Sequence, residues 1–188
     1  VEVLAQGFAQ AARQLGPGKV QLVMLGNGSL AGALRQIFTR AGVSEQVFFP
    51  GQVNQSDLPR YYRMADLYVS ASRTDGTSIS LLEALACGTP ALLSDIPGNR
   101  EWLEPGVQGW YFRDGDVDSL VGAILHAAEQ RHKLPAMGLA ARMLAERRAD
   151  WEVNFRMLFK AYQFACPEKS GHVDWESNLK ASEEGKTL

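Results

Sequence analysis

Two carboxylates flank a run of small residues near the middle of the 188-residue chain. Asp75 is followed directly by residues 76–79 (Gly-Thr-Ser-Ile), and Glu83 stands eight positions after Asp75. Apolar residues at helical spacing begin here, so the small residues are predicted to form the turn before a helix. Backbone N–H groups at a helix start bind phosphate, and carboxylates accept hydrogen bonds from sugar hydroxyls. The pattern therefore suits an anionic, hydroxyl-rich ligand such as a sugar nucleotide.

The same residues also have an ordinary structural interpretation. Ser80 and Glu83 fit the S-x-x-E capping box, in which the glutamate would reach back to the backbone N–H of Ser80 and start the helix. Asp75 before Gly76 is a common arrangement in turns. The spacing by itself leaves ligand binding and helix capping about equally open.

A second glycine-rich turn, at residues 26–28 (Gly-Asn-Gly), follows a short apolar run. It begins like the dinucleotide-binding pattern G-x-G-x-x-G, but Ala31 stands at the third glycine position. No acid ends a second strand at the expected distance, so a nicotinamide site is not expected. The turn at Gly26 is interpreted as a tight strand-to-helix connection that would still border a ligand at the edge of a sheet.

The histidines and cysteines of the chain do not form a recognisable metal-binding pattern. His126, His132 and His172 are scattered without a carboxylate or cysteine at ligand spacing, so no metal site is predicted. Cys87 and Cys166 form neither a CxxC pair nor a zinc set, which suits a reducing compartment.

Two further acids stand close to the predicted strands. Asp95 and Glu101 are near enough to border the cleft, but capping of a helix is the favoured interpretation for both.

The elements that would position these residues alternate between strand and helix. Apolar runs of strand length occur at residues 20–25, 47–49, 66–69, 90–93 and 109–112. Helical periodicity occurs at residues 1–15, 29–40, 58–64, 99–103, 116–130, 137–148 and 151–164, and also in the run that begins near Ser80. Such alternation predicts an α/β fold with an open, doubly wound parallel sheet and helices on both faces. Ligands bind beyond the carboxyl ends of such strands, where both glycine-rich turns are expected to lie.

Length and composition limit the number of domains, the class of partner and the cellular location that can be expected. One domain is predicted at residues 1–166, and the polar residues 167–188 are predicted to form a flexible tail. The net charge of -2 lacks the positive excess that nucleic-acid binding needs, so no nucleic-acid partner is expected. No apolar run has the length of a membrane span and no signal peptide is evident, so a cytoplasmic location is predicted. The chain starts with Val in a helical pattern, and we expect it to be part of a longer protein.

Several segments together resemble a known family. They are LGNGSL, VFFPGQV, LPRYYRMADLYVSAS, DGTSISLLEALACGTPALLSD, PGNREWLEPGVQGWYF and WEVNFRMLFKAY. From about Val1 to Tyr162 the chain resembles the carboxy-terminal, nucleotide-sugar-binding domain of retaining GT-B glycosyltransferases. The resemblance is to the group that includes glycogen synthase and mannosyltransferases, called glycosyltransferase family 4, and it implies the Rossmann-like half of a GT-B fold.

The resemblance implies roles for individual residues. The family has two glutamates separated by seven residues, and here Asp75 stands in the first position and Glu83 in the second. By resemblance Glu83 contacts the ribose, Asp75 touches hydroxyls of the donor sugar, and the backbone near Val53 flanks the nucleobase. The candidate catalytic residues are Asp75 and Glu83, and the candidate donor-binding residues are Gly26, Val53, Gly76, Thr77, Ser78, Ile79 and Glu83.

The resemblance also implies an activity. It is the transfer of a sugar from a UDP- or GDP-sugar donor to an acceptor hydroxyl with retention of configuration, without a metal or other cofactor. A basic pair for the diphosphate and an amino-terminal acceptor domain are expected before Val1. That domain would bind most of the acceptor, whether glycan, lipid or small molecule, and would make any contact with a membrane surface. The chain alone is therefore expected to bind donor and transfer nothing.

Two alternatives remain at this point. One is a nucleotide-binding module without catalysis, and the other is a sugar-nucleotide epimerase of the same two-domain architecture. The non-catalytic module predicts that Glu83→Gln binds nucleotide as well as the unaltered chain does, so a loss of affinity would argue against it. Epimerisation of a sugar nucleotide without an acceptor would identify the epimerase.

Overall fold

The computed structural model describes residues 1–165 as helices alternating with short parallel strands. A first compact unit spans Val1–Arg148, and a second begins at Ala149. The predicted domain end at residue 166 and the predicted tail, residues 167–188, lie outside the described residues, as do Cys166 and His172.

The strands and helices follow the predicted order. The strands are β1 (Leu22–Leu25), β2 (Val47–Gly51), β3 (Tyr68–Ser70), β4 (Ala91–Ser94) and β5 (Gly109–Phe112). The helices are α1 (Glu2–Leu15), α2 (Ala31–Ala41), α3 (Leu58–Met64), α4 (Ile79–Ala86), α5 (Pro97–Arg100), α6 (Val117–Glu129), α7 (Leu134–Arg148) and α8 (Trp151–Ala165). All five predicted strands are found, and their ends differ from the predictions by no more than about two residues.

Two helices begin earlier than their sequence patterns predict. The helix predicted at residues 99–103 is α5, which begins at Pro97, and the one predicted from Met137 is α7, which begins at Leu134. Proline is well tolerated in the first turn of a helix because the N–H that it lacks would have no partner there. Pro135 lies in the first turn of α7, so the helix includes this proline and does not begin after it.

All strand pairs are parallel, and they form two ladders within residues 1–165. In the first ladder β1 lies beside β2, with Val23 opposite Phe48. In the second, β4 lies between β3 and β5, with Leu92 opposite both Val69 and Trp110. The predicted α/β fold with parallel strands is confirmed, and the described strands form two hydrogen-bonded groups rather than one continuous ladder.

The central strand β4 is buried on both faces. All four of its residues are buried, and Leu92 packs in one apolar cluster with Phe8 of α1 and Leu120 of α6. Side chains alternate across a strand, so Ala91 and Leu93 point to the opposite face. On the α4 and α7 side of the first unit, Leu81, Leu85, Met137, Ala141 and Leu144 are buried. This burial explains the nearly continuous apolar character of the strand.

Helix α1 packs against both α2 and α6. It approaches α6 closely at Gly7, where an added Cβ would lie 2.6 Å from Cδ2 of Leu120. The apolar cluster that α1 helps to form includes Leu34 of α2 and, at its margin, residues of both ladders such as Met24 and Val69. A shared core therefore holds the two ladders in one unit.

The second unit contains α8, which was predicted at residues 151–164. The carboxylate of Asp150 accepts a hydrogen bond from the N–H of Val153 (3.0 Å) and so caps its start. Trp151, Met157 and Phe164 are among its exposed apolar side chains. Among residues 1–165, no helix has both the length and the apolar character needed to cross a membrane.

Candidate functional site

The loop after β3 contains the first candidate residues. Strand β3 ends at Ser70, and α4 begins at Ile79 with Ser78 as its N-cap. The Ser78 hydroxyl accepts a hydrogen bond from the N–H of Leu81 (3.4 Å). Asp75, together with Gly76 and Thr77, is exposed to solvent. The loop thus presents a carboxylate and the start of a helix at the carboxyl end of a parallel strand, as predicted.

Glu83 lies in the second turn of α4 and is half-buried. Its Oε2 accepts a hydrogen bond from the hydroxyl of Tyr62 on α3, at 3.0 Å. The capping-box interpretation is wrong, because the N-cap is Ser78 and Glu83 is therefore too far along the helix to close the box. The Ser80 hydroxyl is instead hydrogen-bonded to the hydroxyls of Tyr68 (2.8 Å) and Ser78 (3.0 Å).

Burial, the hydrogen bond to Glu83 and the negative charge of Glu83 together raise the pKa of Tyr62 well above its usual value. Burial is the largest of these causes, and each of them disfavours a phenolate beside a carboxylate. Tyrosine is already protonated at neutral pH, so the raised pKa keeps the Tyr62 hydroxyl a hydrogen-bond donor into the alkaline range as well.

The end of β4 and the helix α5 hold the loop after β3 in place. A Cβ added at Gly98 would clash with the carbonyl oxygens of both Asp75 and Gly76, so the close approach of the two segments requires glycine at this position. The hydroxyl of the fully buried Ser94 donates to the carbonyl of Ser72. Asn99, also buried, donates from Nδ2 to the carbonyl of Ser94 (2.8 Å). The conformation of the Asp75 loop is thus set by residues of a neighbouring strand and helix.

An open cleft of about 520 Å³ lies between the loop after β3 and the start of α5. Residues 73–76 line one side and residues 96–98 line the other. Its volume is within the range of about 300 to 1,000 Å³ that small-molecule sites occupy. Arg73 contributes an exposed guanidinium, which lies 3.8 Å from the carboxylate of Asp114 in the loop after β5. Charged groups of both signs therefore border the cleft.

Thr77 is fixed by a tryptophan that the sequence pattern did not connect with it. The indole N–H of Trp102 donates to Oγ1 of Thr77 (3.3 Å), and the guanidinium of Arg148 lies 4.7 Å from the centre of the Trp102 ring. Trp102 stands 25 residues after Thr77, and no local pattern indicates such a contact.

Asp95 does not cap a helix. Both of its carboxylate oxygens accept hydrogen bonds from Arg100, and the pKa of Asp95 is lowered, chiefly by those bonds. The N-cap of α5 is Ile96, which makes no side-chain cap, so the capping interpretation of Asp95 is wrong. Glu101 directly follows α5 and is exposed, and its backbone carbonyl accepts a hydrogen bond from Arg148.

Gly26 and Val53 lie at the carboxyl ends of β1 and β2, in the first ladder. Gly26 is exposed, has φ of 102° and donates its N–H to the carbonyl of Gly51 (2.8 Å). Val53 is half-buried. The structure therefore brings residues 75–79 together beside the cleft in the second ladder, whereas among residues 1–165 no hydrogen bond links them to Gly26 or Val53.

Within residues 1–165, no group of three or more His, Cys, Asp or Glu side chains is arranged to hold a metal ion. Activity without a metal stays a prediction from the sequence.

A family model described as "Glycosyl transferases group 1" matches residues 2–143. A GDP-mannose-dependent monoacylated alpha-(1-6)-phosphatidylinositol monomannoside mannosyltransferase of Corynebacterium glutamicum is 30% identical over 71% of this chain and 36% of its own length. A phosphatidyl-myo-inositol mannosyltransferase of Mycobacterium leprae is 33% identical over 77% of this chain and 38% of its own. The chain thus spans little more than a third of these relatives.

Solved structures with a similar fold include that of Anabaena HepE in complex with UDP. Its TM-score is 0.76 at 23% identity, over 86% of this chain and 44% of that one. A sucrose-phosphate synthase from Thermosynechococcus elongatus has a TM-score of 0.74 at 23% identity, over 86% of this chain and 42% of its own. At this level of identity, the likeness establishes the fold, which is that of one half of these larger chains.

Proposed function

Because the chain belongs to the glycosyl transferases group 1 family, we propose that it is the donor-binding domain of a retaining glycosyltransferase. In this proposal the whole enzyme transfers a sugar from a nucleotide-diphosphate sugar to an acceptor hydroxyl. The observation that carries it is the turn at residues 75–78, exposed at residues 75–77, which leads into α4 at the carboxyl edge of a parallel ladder and borders an open cleft. A half-buried carboxylate, that of Glu83, lies one helical turn further on.

Each part of this site has a chemical role in the proposal. The backbone N–H groups at the start of α4, in residues 76–79, hold the diphosphate, because they are aligned with the positive end of the helix dipole. Glu83 accepts hydrogen bonds from ribose hydroxyls, and Asp75 accepts one from the donor sugar. Val53 and Gly26, at the ends of the other ladder, border the nucleobase side of the donor.

The same N–H groups also serve the chemical step. When the bond between the sugar and the diphosphate breaks, negative charge develops on the leaving group, and fixed donors stabilise that charge. Asp75 and Glu83 keep the sugar and the ribose in place while this happens. The proposal requires no metal ion, and it leaves the acceptor to a further domain.

The donor is proposed to be a UDP- or GDP-sugar. The Corynebacterium relative is named as dependent on GDP-mannose, and the Anabaena structure contains UDP, which supports a nucleoside diphosphate without deciding the base. The relatives are more than twice as long as the matched region, which supports an acceptor-binding domain elsewhere in the whole protein. This chain alone is therefore proposed to bind donor without transferring sugar, because catalysis needs donor and acceptor held together. The cytoplasmic location also stays a prediction.

Donor binding is tested by titrating the chain with UDP, GDP and their sugars in a calorimeter, and by following amide signals in NMR spectra. We expect one nucleotide to bind and to shift the signals of Thr77 and Glu83. Glu83→Gln should weaken binding about tenfold, because it removes the charge that strengthens the hydrogen bonds to ribose. Shifts confined to residues remote from Thr77 and Glu83 would refute the proposed site.

The matched control is Glu45→Gln. Glu45 is exposed in the single turn that precedes β2, at the opposite edge of the ladder from the candidate site. The charge change is the same, so an equal loss of affinity in both variants would mean that only the net charge of the chain matters.

A further inference from the structure

Tyr62 is joined to the candidate site by a single hydrogen bond. It belongs to α3, precedes Glu83 by 21 residues, and donates from its hydroxyl to Oε2 of that glutamate at 3.0 Å. No other hydrogen bond to this carboxylate is found in the part of the chain that the structure describes. Its second oxygen, Oε1, therefore keeps unused hydrogen-bonding capacity.

The position of Tyr62 is itself fixed from two sides. The hydroxyl of the buried Thr89, which follows α4, donates to the Tyr62 backbone carbonyl at 2.7 Å. The ring of Tyr68 on β3 packs edge-on against the Tyr62 ring, with 6.2 Å between centroids and 64° between planes. The position of the Tyr62 side chain is therefore fixed by contacts that do not involve the Glu83 carboxylate.

A glutamate side chain at a helix surface is free to adopt several rotamers. A ligand that fixes such a side chain loses part of its binding energy to the lost rotamer entropy. A hydrogen-bond donor of the protein that already holds one carboxylate oxygen restricts the side chain before the ligand binds. The other oxygen then has a fixed orientation when the ligand arrives.

We propose that Tyr62 is the positioning residue of the donor site, which holds the Glu83 carboxylate in the orientation that accepts the ribose hydroxyls. The inference rests on the proposed function, in which Glu83 binds ribose. Tyr62 itself touches no substrate and acts only through Glu83. A phenol is protonated at neutral pH, and burial together with Glu83 raises the pKa of Tyr62 further, so its hydroxyl can donate to Glu83 throughout the neutral range and above it.

The test compares Tyr62→Phe with Tyr61→Phe. Both remove one phenolic hydroxyl from α3, and Tyr61 is half-buried like Tyr62. No hydrogen bond from the Tyr61 hydroxyl is found within residues 1–165, which makes it the matched control. Each variant of the 188-residue chain is titrated calorimetrically with UDP and GDP, and with the dideoxy form of each, which lacks both ribose hydroxyls.

We expect Tyr62→Phe to weaken binding of the ribonucleotide about fivefold to tenfold and to leave binding of the dideoxy nucleotide unchanged. Tyr61→Phe should change neither. A loss that depends on ribose hydroxyls identifies a positioning role, because a general loosening of the fold would weaken both nucleotides equally.

Two results would overturn the inference but leave the proposed function standing. In the first, the affinity for the ribonucleotide falls in Glu83→Gln but is unchanged in Tyr62→Phe. In the second, Tyr62→Phe loses the same affinity for the ribonucleotide and for the dideoxy nucleotide. If neither UDP nor GDP binds the unaltered chain, the proposed function and this inference fall together. Circular dichroism melting curves of both variants establish that each is folded before titration.

Discussion

Glu83 and Asp75 are both acids of the predicted signature, yet the structure gives them different surroundings. Glu83 is half-buried and accepts a hydrogen bond from Tyr62, whereas Asp75 is exposed in a loop and lines the open cleft. A carboxylate that is already oriented loses less side-chain entropy when a ligand binds. We therefore expect Glu83 to contribute more to nucleotide affinity, and Asp75 to act on the sugar alone.

Asp75→Ala tests this division at the residue scale. It should weaken binding of a UDP- or GDP-sugar about tenfold while leaving the affinity for free UDP or GDP unchanged, because the proposed contact is with a sugar hydroxyl. Calorimetric titration with each ligand measures the difference. Asp75→Glu, which restores the acid of the family signature, is the matched variant and should retain sugar-nucleotide binding. Equal losses for nucleotide and sugar nucleotide in Asp75→Ala would assign Asp75 to the nucleotide instead.

At the scale of elements, contacts between segments position the site more than the segments do by themselves. The loop before α4 is held by Ser94, Asn99 and Gly98, which belong to β4 and α5. The two ladders are held in one unit because α1 packs against both α2 and α6. At Gly7 the backbone of α1 lies close to the side chain of Leu120 on α6, which belongs to the shared core.

Gly7→Ala should lower the free energy of unfolding by about 1 to 3 kcal/mol, because the new methyl overlaps the buried Leu120 side chain. Urea denaturation followed by circular dichroism measures the change. Gly122→Ala in α6 is the control, since an added Cβ meets no atom within 4 Å there. Alanine has the higher helix propensity, so this variant should be more stable by about 0.5 to 1 kcal/mol. Stabilisation by both substitutions would contradict the packing described for α1 and α6.

At the scale of the whole molecule, the first unit has the fold of one half of longer glycosyltransferases. The family model covers most of Val1–Arg148, and the chain covers less than half of the solved structures that it resembles. The carboxyl ends of both ladders carry candidate donor-binding residues, at Gly26 and Val53 in one and at residues 75–79 in the other. In the proposed site a donor would contact both ladders at once, and its binding would stabilise the whole unit.

This coupling predicts protection against thermal unfolding. A ligand that binds only the folded state at about one hundred times its Kd adds roughly 2.7 kcal/mol to the free energy of unfolding. Either UDP or GDP should therefore raise Tm in a melting experiment, and the one that does so identifies the base. Adenosine diphosphate is a useful comparison, since it has the same diphosphate and ribose. An equal rise with all three nucleotides would show that the base is not recognised, and no rise with any would argue against a donor site.

The strands, the helices and the turn at residue 76 could be predicted from the sequence because each depends on local chemistry. Apolar periodicity sets the elements, and small residues between a strand and a helix mark a turn. Local patterns were less informative at helix starts, where prolines at positions 97 and 135 lie inside the first turns. They also misassigned Asp95, whose carboxylate pairs with Arg100 rather than capping α5.

Glu83 shows which properties of a residue the sequence determines and which depend on the tertiary structure. The sequence determined its place on α4, its spacing from Asp75 and its family signature, because all three are relations along the chain. It left capping and ligand binding open, since both interpretations use the same spacing. The structure excludes the capping box because the N-cap of α4 is Ser78. Only the tertiary structure could reveal the contact with Tyr62, because a hydrogen bond between residues far apart in sequence depends on how α3 packs against α4. The same reason applies to the support of Thr77 by Trp102 and to the arrangement of the strands in two ladders.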